Sequence, residues 1–121
     1  MNVYTGQFKQ VEMYIANDLM VCSVARNDPP WFKGPSFKIL APEQNLLMSY
    51  HQGMSFGRFA VRYIDYLKHV DFEPVLKAFD FLCSNSSGIV LCCYEPKTQF
   101  CHRHLLANFL NTNYQLGVTE F

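Results

Sequence analysis

The residues best suited to chemistry lie in the segment 92–104, Cys-Cys-Tyr-Glu-Pro-Lys-Thr-Gln-Phe-Cys-His-Arg-His. Glu95 follows an apolar run typical of a buried strand, and Cys101, His102 and Arg103 stand at the predicted start of a helix. A helix N-terminus presents unpaired backbone N–H groups and a partial positive charge, and Arg103 adds a forked donor suited to phosphate or carboxylate. The segment therefore predicts an anion-binding site, with His102 and Tyr94 beside it.

The same residues have alternative roles. Arg103 and Glu95 belong to one short connection, so they are also suited to a structural ion pair that closes the loop. Three roles are open to Cys101: a nucleophile with a lowered pKa, a metal ligand together with His102, His104, Cys92 or Cys93, and a thiol that only packs under the loop. The Cys–Arg spacing of cysteine phosphatases is absent because position 107 is Ala. Cys-x-x-Cys and His-x-x-x-His pairs are also absent, so we expect no metal.

A second candidate region is the segment 26–33, Arg-Asn-Asp-Pro-Pro-Trp-Phe-Lys. Arg26 offers a second forked donor at the end of a predicted strand, and Trp31 offers an aromatic wall for a planar base or a sugar face. Asp28 is the only other acid expected near Glu95. The alternative is a loop that its aromatic residues hold against the body of the protein.

The predicted secondary structure brings these regions together. Apolar runs predict strands at 2–5, 19–25 and 89–93, and a helical segment is expected around 7–15. Ser55 and Asp71 are predicted to cap two helices, and a last helix starts near Cys101 or His102. The stretches 26–35 and 41–53 are expected to be irregular. Strands alternating with helices indicate an α/β sandwich with a mainly parallel sheet, whose ligand sites lie at the carboxyl ends of the strands. Thr5, which ends the first strand, joins the predicted site by this rule.

Composition excludes several classes of protein. The 121 residues are 50% hydrophobic, which provides the core of one domain spanning 1–121 and rules out disorder. Ten basic residues balance ten acidic ones, so we expect no binding to a nucleic-acid polymer. No apolar run approaches the roughly 20 residues that span a bilayer, so we expect no membrane. The number of cysteines, five, is odd, and several of them lie in apolar runs, which favours buried free thiols over a disulfide framework and hence a cytoplasmic protein. The many aromatic residues are compatible with a homodimer.

The stretch Ile89–Glu95, followed by Phe100–Ala107, resembles the signature of the domain of unknown function 488 family. In that family, a strand ending in Leu-Cys-Tyr-Glu or Leu-Cys-Ala-Glu leads into Cys-His-Arg at a helix start. Val24–Arg26 and Pro30–Gly34 agree with the same family. The resemblance implies a small Rossmann-like, three-layer α/β domain of bacteria, archaea and phages. The motif positions that it singles out are Arg26, Glu95, Cys101, His102 and Arg103. It implies no cofactor and no reaction.

Two functions from different classes follow. In the first, the protein binds a phosphorylated, nucleotide-derived small molecule at the carboxyl edge of the sheet, for example as a phage protein that absorbs a host signal. Its expected ligand-binding residues are Thr5, Arg26, Trp31, Tyr94, His102 and Arg103. In the second, a small nucleotide-processing enzyme uses Glu95 as acid or base, or Cys101 as nucleophile, on a glycosidic or phosphoester bond. A protein-interaction role is a third option, without a supporting motif.

Overall fold

A parallel sheet forms the centre of the molecule. The computed structural model describes residues 1–95 and 101–121, and within them four strands are hydrogen-bonded in the order β2-β3-β1-β4. All neighbouring strands are parallel, which confirms the predicted sheet type. The strands are β1 (Val3–Gln7), β2 (Leu19–Ser23), β3 (Gly88–Cys93) and β4 (Thr119–Glu120).

Helices cover the sheet on both faces, as expected for a Rossmann-like sandwich. The α-helices are α1 (Val11–Ala16), α2 (Gln44–His51), α3 (Phe56–Lys68), α4 (Phe72–Ser84) and α5 (His102–Tyr114), with short 3₁₀ turns at Phe8–Gln10 and Lys38–Leu40. Helix α1 packs on β2, α4 packs on β3, α5 packs on β1 and β3, and α3 packs on α5. None of the helices in the described residues is long and apolar enough to cross a membrane.

Strand β3 is the most deeply buried element. All six of its residues are buried because it has a strand on each side and helices over both faces. Its side chains alternate between two apolar cores: Ile89 and Leu91 lie in the larger one, and Val90 and Cys92 lie in the smaller one beside α1. This position explains why its sequence is a continuous apolar run rather than an alternating one.

The predicted capping residues start their helices. The Ser55 side chain accepts a hydrogen bond from the backbone N–H of Arg58 at the start of α3. The Asp71 side chain accepts one from the N–H of Glu73 at the start of α4. Each side chain satisfies a backbone donor that has no partner within its own helix.

The structure differs from expectation in three places. Strand β1 does not end at Thr5 but continues through Gly6 to Gln7. A Cβ atom at Gly6 would collide with the Tyr14 hydroxyl, which accepts a hydrogen bond from the Gln7 N–H. Helix α2 lies in the stretch 41–53, and strand β4 was not expected at all.

Candidate functional site

The first turn of α5 and the end of β3 form the centre of the site. Cys101 is the N-cap of α5, and the next two side chains, His102 and Arg103, are both buried. Cys93 ends β3 directly opposite, followed by Tyr94 and Glu95. The predicted convergence of the strand end and the helix start is therefore observed. Residues 96–100, including Phe100 of the signature, lie outside the described residues.

Arg103 is enclosed by protein groups. Its Nε and Nη2 donate to the two carboxylate oxygens of Glu120 at 3.1 and 2.9 Å, and its side chain is 0% exposed. Its Nη1 donates to the Glu95 carbonyl oxygen at 2.6 Å and to Cys93 Sγ at 3.1 Å. The carboxylate paired with Arg103 is thus that of Glu120 rather than Glu95. An external anion cannot contact this guanidinium without displacing these acceptors.

Thr5 belongs to the same enclosed group. Its hydroxyl donates to Glu120 Oε1 at 2.6 Å, and the residue is almost fully buried. Burial alone would raise the pKa of Glu120, but the hydrogen bonds from Arg103 and Thr5 hold it below its usual value. We refer to Thr5, Arg103 and Glu120 as the closed cluster. In this arrangement Thr5 and Arg103, both expected to contact a ligand, hold β1, β4 and α5 together.

His102 points to the other side of the same helical turn. Its Nε2 lies 2.6 Å from the Val24 carbonyl oxygen, which accepts a hydrogen bond, so this nitrogen carries the proton. Burial lowers the pKa of His102 to about 4, and the ring is therefore neutral near pH 7. Its Nδ1 faces Cys101 Sγ at 3.8 Å.

Cys93 and Cys101 are joined in a disulfide, with their Cα atoms 7.5 Å apart. Free thiols were expected here, and the expectation is wrong for this pair because an odd total of cysteines does not prevent one local pair. Cys22 and Cys92 are buried free thiols, as expected, and Cys83 is free and half-buried. In the oxidised form, Cys101 has no thiol available for nucleophilic attack.

A cleft of about 180 Å³ opens beside His102 at the carboxyl ends of β2 and β3. It contains four of the predicted site residues, namely Arg26, Tyr94, Glu95 and His102. A smaller cavity of about 20 Å³ adjoins it, shares Glu95 and His102 in its lining, and reaches Cys101. A larger depression of about 510 Å³ beside α4 contains none of the predicted residues.

Arg26 differs from Arg103 in the groups that hold it. Its Nε donates to the Pro42 carbonyl at 3.0 Å, and its Nη2 donates to the carbonyls of Lys38 and Ala41 at 3.0 and 3.3 Å. These acceptors are uncharged, and no carboxylate among residues 1–95 and 101–121 pairs with Arg26. The half-buried guanidinium therefore keeps its net charge at the wall of the cleft.

Trp31 and Asp28 do not contribute to this cleft. Trp31 is exposed and packs edge-on against Phe8 and Phe32, at the rim of a separate apolar groove of about 390 Å³ beside β2. Asp28 forms an ion pair with Lys38 at 2.6 Å and accepts a hydrogen bond from the Ser23 hydroxyl. The structure therefore does not bring a second carboxylate from Asp28 to Glu95.

Two polar residues of the cleft were not foreseen. Asn27 lines it beside Arg26, and its carbonyl accepts a hydrogen bond from the Tyr94 hydroxyl at 2.6 Å. His51 enters from the last turn of α2. No signal in the sequence predicted α2, because its N-cap Glu43 makes no side-chain cap and only Leu46 is buried.

A family model described as the active DUF488-N3 subclade (DUF488-N3a) matches residues 21–114, well over half of the chain. The chain therefore belongs to the DUF488 family. The match begins within β2, covers β3, the whole of α5 and the whole lining of the cleft, and stops before β4. Neither a curated protein nor a solved structure matched the chain.

Proposed function

We propose that the protein binds a phosphorylated, nucleotide-derived small molecule in the cleft at the carboxyl ends of β2 and β3. Arg26 provides the main support, because it lines the cleft and, among the described residues, its guanidinium donates to neutral carbonyls alone. Such a cation attracts an anionic group more strongly than one already paired with a carboxylate, as Arg103 is. Among the described residues, no acceptor is bound to Arg26 Nη1, which leaves a donor for a phosphate oxygen.

The other groups of the cleft are suited to the rest of a nucleotide. Glu95 is half-buried and offers carboxylate oxygens for sugar hydroxyls, while the half-exposed Tyr94 ring offers a face for a base. A volume of about 180 Å³ is smaller than the roughly 300–1,000 Å³ typical of sites that enclose a drug-sized ligand. We therefore expect the cleft to hold one part of the ligand, such as the ribose phosphate, and to leave the remainder near solvent.

The first experiment is a binding screen. The full chain is incubated with mononucleotides, cyclic nucleotides and ADP-ribose derivatives, freed of unbound material and denatured, and the released molecule is identified by chromatography with mass detection. Recovery of an intact nucleotide supports binding and, if dissociation is slow, sequestration of the ligand. Recovery of no compound from any of these classes contradicts the proposal.

Variants then test the location of binding. His51→Ala removes a cleft side chain from an exposed position, and Asn27→Ala removes another. We expect each variant to bind the recovered ligand about tenfold more weakly than wild type, a loss of about 1.4 kcal/mol in binding free energy. Calorimetric titration measures this difference. His69→Ala is the matched control, because His69 is an exposed histidine at the end of α3, outside the cleft. If both cleft variants bound the ligand as tightly as the control variant His69→Ala, this cleft would be excluded as the binding site.

A second candidate is an enzyme that acts on the same ligand. The half-buried Glu95 carboxylate lies 3.6 Å from Cys93 Sγ, and the matched subclade is described as active. Glu95→Gln distinguishes the two candidates: retained binding with loss of conversion supports an enzyme with Glu95 as acid or base. Unchanged conversion in this variant would exclude that role. A thiol mechanism through Cys101 would further require reduction of its bond to Cys93.

A further inference from the structure

Three side chains that line the cleft or its small adjoining cavity have the donor atoms of a metal site. The two sulfur atoms of Cys93 and Cys101 and a ring nitrogen of His102 all lie within 4.8 Å of one another. All three residues are buried, and they are held by the end of β3 and the start of α5. Two thiolates and one imidazole are a common ligand set for Zn²⁺ in proteins.

The hydrogen bond of His102 fixes which of its nitrogens can bind a metal. Nε2 donates to the Val24 carbonyl oxygen, so the lone pair is on Nδ1, the nitrogen that faces Cys101 Sγ. Metal-binding histidines generally make such a bond from their other nitrogen to a carbonyl or carboxylate, because it fixes the tautomer and the ring orientation. Here that bond is already formed by the fold.

The backbone around the pair leaves room for an ion. The Cα atoms of Cys93 and Cys101 are 7.5 Å apart, wider than the roughly 4.4–6.8 Å usual for disulfides. The adjoining cavity of about 20 Å³ is lined by Cys101, His102 and Glu95 and exceeds the roughly 10–15 Å³ that one water molecule needs. The Arg103 guanidinium donates to Cys93 Sγ and would stabilise a thiolate at that position.

We propose that the reduced protein binds one Zn²⁺ ion through Cys93 Sγ, Cys101 Sγ and His102 Nδ1, with Glu95 or water in the fourth position. The two thiolates and the ion together carry no net charge, which suits a buried site. The dithiol form arises when an external dithiol transfers two electrons and two protons to the disulfide and itself leaves as a disulfide. Zinc binding then releases the two thiol protons. The site does not depend on whether the cleft binds a nucleotide.

Direct titration of the wild-type chain tests the proposal. The full chain is reduced with a dithiol, freed of reductant without air and titrated with Zn²⁺ and, separately, with Co²⁺. We expect one ion per chain, release of protons, and the intense visible absorption of tetrahedral Co²⁺ with a sulfur-to-cobalt band in the near ultraviolet. Protein kept in the disulfide form should bind neither ion at this site. Absence of one-to-one binding by the reduced chain would overturn the proposal.

Variants and alkylation identify the ligands. Cys93→Ser, Cys101→Ser and His102→Gln should each abolish the wild-type cobalt spectrum, whereas Cys83→Ser, which changes a half-buried thiol outside the cluster, should retain it. Zn²⁺ should also slow alkylation of Cys93 and Cys101, but not of Cys83, in the wild-type chain, as measured by peptide mass spectrometry. This second readout needs no variant to fold. Alkylation of Cys93 and Cys101 at the same rate with and without Zn²⁺ would contradict the assignment.

Discussion

The two sides of the first turn of α5 contrast in how their polar groups are used. On one side, Arg103 makes a bidentate ion pair with Glu120, and the Arg103 side chain is fully buried. On the other side, His102 is tied to Val24 by one nitrogen and turns the other towards Cys101, beside a cleft that contains Arg26 and Glu95. Adjacent residues of one motif thus serve different purposes. Arg103 holds the sheet and helix together, and His102 borders the groups available for chemistry.

The contrast also shows why the type of residue alone does not indicate which arginine is available to an anion. Arg26 and Arg103 have the same side chain, and both lie near the carboxyl edge of the sheet, Arg26 after β2 and Arg103 in the first turn of α5. Arg103 is neutralised by the half-buried Glu120 carboxylate, whereas the described partners of Arg26 are three carbonyls, which leave its charge unbalanced. The charge available to a ligand depends on the partners of each arginine, and these partners come from distant parts of the chain.

The largest loss of stability is expected when the closed cluster is disrupted. Arg103→Met leaves the Glu120 carboxylate and the Glu95 carbonyl without their buried donor. We expect the free energy of unfolding to fall by about 3–5 kcal/mol, as for other buried ion pairs that lose one partner. Urea denaturation measures this, with Arg58→Met on the exposed face of α3 as the matched control. A loss below about 1 kcal/mol would mean that the two sides of the turn do not differ as described.

An intermediate effect is expected for Glu120→Gln. The pKa of Glu120 lies below its unfolded value of 4.5, so its contribution to stability is complete above that pH and is lost as the pH falls through the lower, folded pKa. The variant should be about 1–3 kcal/mol less stable at pH 7 and should lose less stability than wild type between pH 5 and 3. Thermal unfolding across this pH range measures both. Parallel pH profiles would show that Glu120 does not interact more favourably in its charged form.

The smallest loss of stability is expected for a substitution on the side of the α5 turn that faces the cleft. Tyr94→Phe removes the hydrogen bond from the Tyr94 hydroxyl to the Asn27 carbonyl, both of which are exposed. Water can replace the lost partner, so we expect stability to fall by less than about 1 kcal/mol in urea denaturation. A change as large as that of Arg103→Met would indicate that this side of the turn is also a structural element.

The elements predicted from the sequence are those with strong local signals. Strand β3 is a continuous apolar run, and Ser55 and Asp71 each cap the helix that follows. The start of α5 was predicted because strand, loop and helix signals follow one another within the segment 92–104. These signals lie within a few residues of the feature that they determine.

The parts that were missed depend on distant contacts. Strand β4 has only two residues and no apolar run, yet it carries Glu120, the partner of Arg103 across 17 positions. Helix α2 is short and carries no side-chain cap, so its contribution of His51 to the cleft had no local signal. The disulfide between Cys93 and Cys101 depends on the meeting of a strand end with a helix start, which the number of cysteines does not reveal.

The strand order has a consequence for the time course of folding. Strands β1 and β2 come first in the chain, but both pair with β3, which begins only at Gly88. Val3 therefore pairs with Ile89, which lies far along the sequence. Closing the long loop between them early in folding is costly in entropy. Because such non-local pairings slow folding, we expect refolding on the millisecond-to-second scale rather than in microseconds. Until β3 docks, the edges of β1 and β2 remain open to pairing with another chain, which makes aggregation compete with folding.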